Sequence, residues 1–216
     1  MVHASEFILL ATTKVGDKSL VVHTLSPEWG RRSFIASVSG KTPMALFQPL
    51  SIIDGEVVEN SKSDLWRLRE LSAGEPLGGI RNDIRKNTMT LFMSEVLYRT
   101  LKDGTYEEGL YEWCRHSILT LDALGSDFSN YHLRFLLEFA GALGFSPALE
   151  DLAPFAGEHL QVVKQLLVSS QAQSLLIPMN GAQRNAVAAL LLDYIGYHTE
   201  SQINVRSLQV LRDLYR

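Results

Sequence analysis

Residues 15–36 read VGDKSLVVHTLSPEWGRRSFIA, and the fold turns on them. Residues 19–25 are rich in β-branched side chains, residues 33–38 alternate apolar and polar, and Pro27 and Gly30 punctuate the gap. The pattern is strand, turn, strand. The turn carries Trp29, Gly30, Arg31 and Arg32, an aromatic and two cations between two sheet-forming runs. It is either a solvated hairpin tip or a place where an anion docks.

Working outward, Phe7, Ile8, Leu9 and Leu10 make a short apolar run, and residues 52–58 alternate more loosely. Residues 65–71 fit either a last strand or a short helix. Several short strands separated by Gly, Asp and Pro in the first 78 residues predict a small barrel or sandwich. From Asn82 the period changes. Met89, Phe92, Met93, Val96, Leu97 and Leu101 recur at three and four, the stripe of a buried helix that Asn82 caps and Gly104 ends. Further helices are predicted over 106–124, over a segment following Asp127 and Ser129 that Gly144 and Pro147 close, and over 159–169, 182–197 and 205–215. The expected organisation is a β domain at 1–78 and an all-α domain at 79–216.

Composition narrows the function. Of the 216 residues 46% are hydrophobic and 20% charged, and the net charge is −4, so any anion site must be local rather than a property of the whole surface. No apolar run reaches the roughly 20 residues of a membrane span. The first residues lack the charged and apolar regions of a signal peptide, and one cysteine, Cys114, permits no internal disulfide. A reducing, cytoplasmic setting is expected. No glycine-rich nucleotide loop is present; Gly78 and Gly79 read as a domain-boundary or helix-entry pair. His3, His23, His116, His132, His159 and His198 show no ligand spacing. Cys114 and His116 point apart on a helix, so the cysteine reads as packing. Glu107 with Glu108, and Glu150 with Asp151, sit at helix starts, where the macrodipole favours them. No catalytic constellation emerges, and no cofactor or metal is expected.

The cations say more. Through residue 50 there are five, Lys14, Lys18, Arg31, Arg32 and Lys41, against Glu6, Asp17 and Glu28. Four of them fall at strand-flanking turns, which in a small barrel border the ligand groove. Arg81, Arg85 and Lys86 open the first helix, with Arg81 and Arg85 spaced to share a face. Trp29 either stacks a base or plugs the barrel end, and Phe34 reads as core.

Residues 12–22 and 24–33, then Phe47-Gln48-Pro49-Leu50-Ser51, residues 130–137, Leu143-Gly144-Phe145-Ser146-Pro147 and residues 205–211 follow one another in an order that resembles the RecO family of bacterial recombination-repair mediators. The resemblance implies an N-terminal OB-fold and a C-terminal helical domain. It implies binding of single- and double-stranded DNA, strand annealing, recombinase loading, and partnership with RecR and single-stranded-DNA-binding protein. On that reading Lys14, Lys18, Trp29, Arg31, Arg32, Lys41, Arg81, Arg85 and Lys86 are the DNA-binding candidates. Arg134 and Arg206 are the candidates for the acidic tail of single-stranded-DNA-binding protein, because a guanidinium grips a carboxylate with two hydrogen bonds. Many members of the family carry a cysteine zinc site after the Leu-Gly-Phe-x-Pro stretch. Here residues 148–155 have no cysteine and read as a polar loop. The alternative is a protein-only adaptor on the same scaffold.

Overall fold

A computed structural model describes residues 1–38 and 42–215; Lys41 lies outside the described residues. Strands β1 (Val2–Lys14), β2 (Ser19–Ser26), β3 (Gly30–Ser37), β4 (Ile52–Val58) and β5 (Trp66–Ala73) close a barrel in the order β1-β2-β3-β5-β4. The β1 strand serves two neighbours. Its first half pairs with β4 from Val2 to Ile8, and its second half pairs with β2 from Ile8 to Lys14, with the register shifting between Leu9 and Ala11. A bulge at that place bends a long strand so that it can close the sheet on itself. The last seam is β3 against β5, parallel, over Phe34, Ile35 and Ala36. Period-two alternation supplies the core: Phe7, Leu9, Val22, Phe34, Ile53, Val57 and Leu68 point inward and are buried. Residues 65–71 are therefore strand. Trp66 and Leu68 face the core, while Arg67 and Arg69 are exposed.

The chain divides into two compact units, residues 1–78 with 101–118, and residues 79–100 with 119–216. Residues 101–118, a loop followed from Leu110 by the start of a helix, belong with the barrel strands, so the helix predicted from 106 begins four residues later. Helix α1 (Gly78–Asn82) is separated from α2 (Ile84–Thr100) by Asp83, whose carboxylate accepts from the Arg85 N–H at 2.8 Å and so caps α2. The cap thus lies one residue beyond Asn82, and the break stops Arg81 and Arg85 from sharing one continuous helix. Gly78 and Gly79 do enter a helix. A Cβ at Gly79 would collide with the Asp122 carbonyl oxygen. That carbonyl accepts from Lys86 Nζ at 2.8 Å, and the Asp122 carboxylate accepts from the Ile80 N–H at 2.7 Å. Asp122 lies near the end of α3 (Leu110–Ala123), so a single residue joins α1, α2 and α3.

In α2, Met89, Phe92, Met93, Val96 and Leu97 are wholly buried, as their spacing predicts. The unit continues with α4 (Tyr131–Ala142), α5 (Leu149–Ala156), α6 (Leu160–Val168), α7 (Gln171–Leu175), α8 (Gly181–His198) and α9 (Ser207–Leu214); α2 packs against α4 and α9, and α8 packs against α4, α5 and α9. Two of these depart from the sequence pattern. Residues 149–156 form a helix rather than a polar loop, because Asp151 accepts from the Ala148 N–H at 2.8 Å and Leu152 and Ala156 turn inward. Helix α7 has no periodic signal of its own. It is held by buried Asn130, whose Nδ2 donates to the carbonyls of Ser174, Leu175 and Ile177 at 2.8–3.2 Å.

His132 is buried beside the edge of the Phe92 ring, 5.8 Å between centroids. Burial, and then the nearby Arg184 charge, push its pKa down to about 3. The ordinary value, 6.5, applies to the unfolded chain, so the neutral ring contributes stability that is full above pH 6.5 and is lost as pH falls towards 3. Between pH 7 and pH 5 this residue should cost about 2 kcal/mol. His132→Gln should flatten the pH dependence of urea unfolding by about that amount; an unchanged slope would contradict the assignment.

Candidate nucleic-acid interface

Because β5 pairs with β3 only from Phe34 onward, the first half of β3 needs another partner. Residues 104–105 provide it. The Arg31 N–H donates to the Thr105 carbonyl and the Gly104 N–H to the Arg31 carbonyl, both at 2.8 Å. Gly30, at φ +56°, lies so close beneath that a Cβ would strike the Thr105 carbonyl oxygen. Arg31 is consequently buried, and its guanidinium donates to Asp103 at 3.2 Å and to the Ser33 hydroxyl at 3.1 Å. Ser33 in turn donates to Asp103, so its oxygen accepts the His23 Nδ1–H at 2.9 Å, and His23 Nε2 is left to accept from Thr13 at 3.0 Å. Burial, and then Arg31, hold the His23 pKa below its usual value, against the opposing pull of Asp103. A second clasp lies further along the same segment. Tyr111 and Arg115 both donate to Glu6, and Arg115 also reaches Glu75 at 2.6 Å.

These bonds sort the candidates. Arg31 and Arg32 lie in strand β3, not in the turn. Arg31 faces the covering segment and is not available to a phosphate. Arg32 lies on the opposite side, its guanidinium 3.7 Å from the Trp66 ring centroid and donating to the Asp64 carbonyl at 3.3 Å. Trp29 packs as the plug: its ring stacks on Phe7 at 6.0 Å and meets Phe34 and Trp66 edge-on. Phe34 is core. Lys14 and Lys18 are exposed on either side of the β1–β2 turn. The outer face of β2 and β3 beyond the Asp103 cover presents Ser19, Val21, Ile35 and Ser37, with Arg67 of β5 in register with Ile35. Arg67 is a cation that the sequence pattern does not single out. In the helical unit Lys86 is buried on the Asp122 carbonyl, and Arg81 is half-buried. Arg85 is exposed, paired with Asp83 at 2.9 Å and 4.9 Å from the Phe128 ring.

Residues 81–153 match the family model described as Recombination protein O C terminal. A protein named DNA repair protein RecO from Phocaeicola vulgatus is 30% identical over 96% of this chain and 97% of its own length. The chain belongs to the RecO family. Similar relatives of the same name from Bacteroides fragilis and Flavobacterium psychrophilum are 28% and 26% identical, each over 96% of this chain and 97% of their own.

Helix α5 follows Pro147 closely, and the chain's one cysteine, Cys114, is fully buried with its thiol pushed up to about 12. Among the described residues no group of three or more His, Cys, Asp or Glu is placed to hold a metal ion. Of the tail candidates, Arg134 donates to Glu138 at 2.6 Å and to the Ser169 carbonyl at 3.1 Å, while Arg206 is exposed at the start of α9.

If Arg31 serves the closure of the barrel, Arg31→Ala should lower stability by about 1–2 kcal/mol, since it removes a buried side chain and its hydrogen bonds to Asp103 and Ser33. Arg32→Ala, which leaves that closure intact, should cost less. Urea unfolding of both variants checks the order, and equal or reversed effects would contradict it.

Proposed function

We propose that this RecO-family protein acts in DNA repair as a non-enzymatic mediator, binding single- and double-stranded DNA and promoting annealing and recombinase loading with RecR and single-stranded-DNA-binding protein. The observation that carries the reading is the distribution of cations on the barrel. Lys14, Lys18 and Arg67 are exposed beside the outer face of β2 and β3, the face that binds oligonucleotides in OB-folds, while the far end of that face is closed by Asp103. The strip offers serine hydroxyls and two half-buried aliphatic side chains, Val21 and Ile35, to the sugar and base, and no hydrogen-bonding pattern that would favour one base. Sequence-tolerant binding follows, as annealing of arbitrary strands requires. Arg32 on Trp66 extends the basic edge towards the β4–β5 loop. Arg85 is the exposed cation of the helical set that remains a DNA ligand in this reading.

Affinity should come mainly from release of counterions. Reversing Lys14, Lys18 and Arg67 together should weaken single-strand binding and reduce the slope of log K against log salt by roughly 0.7 for each phosphate no longer neutralised. Fluorescence anisotropy across a salt series measures this. An unchanged slope in a folded triple variant would move the surface elsewhere, and no binding by the wild type would favour the protein-only adaptor.

For the acidic tail, Arg134 is the better-framed receptor. It is half-buried, and a tail carboxylate would take the place of Glu138. Arg134→Ala should cost ~1.5–3 kcal/mol of tail-peptide affinity. Equal dissociation constants for wild type and variant would retire Arg134 and leave exposed Arg206.

A further inference from the structure

Between α5 and α8 runs a groove of about 710 Å³ whose lining is largely apolar. Its floor is Ala186, Ala189 and Leu190, small and aliphatic residues at helical spacing on α8. Phe155 and Tyr197 line it while 79% and 82% exposed, two large rings left in water within one groove. Single exposed apolar residues are ordinary; two rings bordering one concave apolar surface mark an interaction site. The wall is pre-built. His198 stacks on Phe145 at 4.8 Å and lies 4.5 Å from Tyr194, whose hydroxyl donates to the Phe145 carbonyl at 3.2 Å. A second groove, of about 770 Å³, borders the other side of Tyr197 and shares Ala189 and Asp193 with the first.

The charge of this face is of one sign. Asp151 and Asp193 line the first groove and Glu200 the second, and among the described residues neither groove is lined by a lysine or an arginine. An acidic peptide or a nucleic-acid backbone would meet repulsion on entering. A cationic one would find carboxylates at the edges and tyrosine faces between them, the surroundings that hold lysine and arginine heads while their stems lie on apolar surface.

We propose that the α5–α8 face binds a basic amphipathic segment of a protein partner, its aliphatic side chains seated on Ala186, Ala189 and Leu190 and its lysines or arginines paired with Asp151, Asp193 and Glu200. A helix laid in the groove would present such residues at three- and four-residue spacing. The site is separate in position and opposite in charge preference from the Arg134 tail receptor, and it does not rest on the DNA reading.

The test titrates the full chain, by fluorescence anisotropy at physiological salt, into two labelled helical peptides of equal length. One carries leucine and lysine, the other leucine and glutamate at the same positions. The wild type should bind the basic peptide, and bind the acidic one about tenfold or more weakly. Asp151→Asn with Asp193→Asn should weaken the basic peptide by about tenfold. Ala189→Arg should do the same by filling and recharging the groove, and Ala189 is exposed, so that variant keeps its fold. Unchanged affinity in Ala189→Arg, or preference for the acidic peptide, would overturn the proposal. So would a wild-type dimer that Ala189→Arg dissociates, which would give the face to a second copy.

Discussion

The barrel closes through a short seam. Phe34, Ile35 and Ala36 of β3 are all that β5 pairs with, and that leaves the rest of β3 with unpaired peptide groups. Two backbone hydrogen bonds from residues 104–105 satisfy them at Arg31, and the side chains follow from that choice. Bringing a loop so close demands a glycine at residue 30. Covering the strand buries Arg31, and a buried guanidinium demands a carboxylate, which Asp103 supplies. The polar chain from Thr13 through His23 and Ser33 to Asp103 is thus a consequence of closure. It consumes the end of the barrel face on which Arg31 stands, and the open part of that face is the stretch of β2 and β3 beside Lys14, Lys18 and Arg67.

The helical unit uses the same device. Single polar residues, placed where several chain segments leave backbone groups unpaired, hold those segments together. Asp122 meets α1 and α2 from the end of α3, Asn130 gathers three carbonyls at α7, and Glu95 receives the hydroxyl and N–H of Ser207 at the start of α9. Each satisfies groups that a helix end leaves over, so each fixes an angle as well as a contact. The α5–α8 face differs. Asp151 caps its own helix, but the rings of Phe155 and Tyr197 stay largely exposed, and on that exposure the proposed partner site rests.

Periodicity made the strands, the long helices and most of the core legible. The stripe from Met89 to Leu97 needed no tertiary information. Residues 65–71 show where this stops: so short a run cannot separate the two periods, and only as a strand does it throw Arg67 outward beside Ile35. With that segment open, the cation stays hidden. Arg31 misleads for the opposite reason. Its local sequence is that of an exposed turn, and the partner that buries it is Asp103, 72 residues away. Lys86 is the same case, its charge hidden by a carbonyl 36 residues on. Trp29 holds two readings because an aromatic at a barrel mouth can serve core or ligand, and only the stacking on Phe7 chooses between them. Residues 149–156 read as a loop because the run is short, holds Pro154 and opens on Glu150 and Asp151; what packs is Leu152 and Ala156.

The barrel end around Arg31 is structural, and the strip from Lys14 to Arg67 is the DNA surface we propose. Titrating a short single strand into isotope-labelled protein, and following backbone amides by NMR, tests both parts together. Shifts should cluster at residues 14–21, 35–37 and 67, with Arg31, Gly104 and Thr105 unmoved. Shifts centred on Arg31, Gly104 and Thr105, with residues 14–21 silent, would place the DNA on the closed end instead and contradict both assignments.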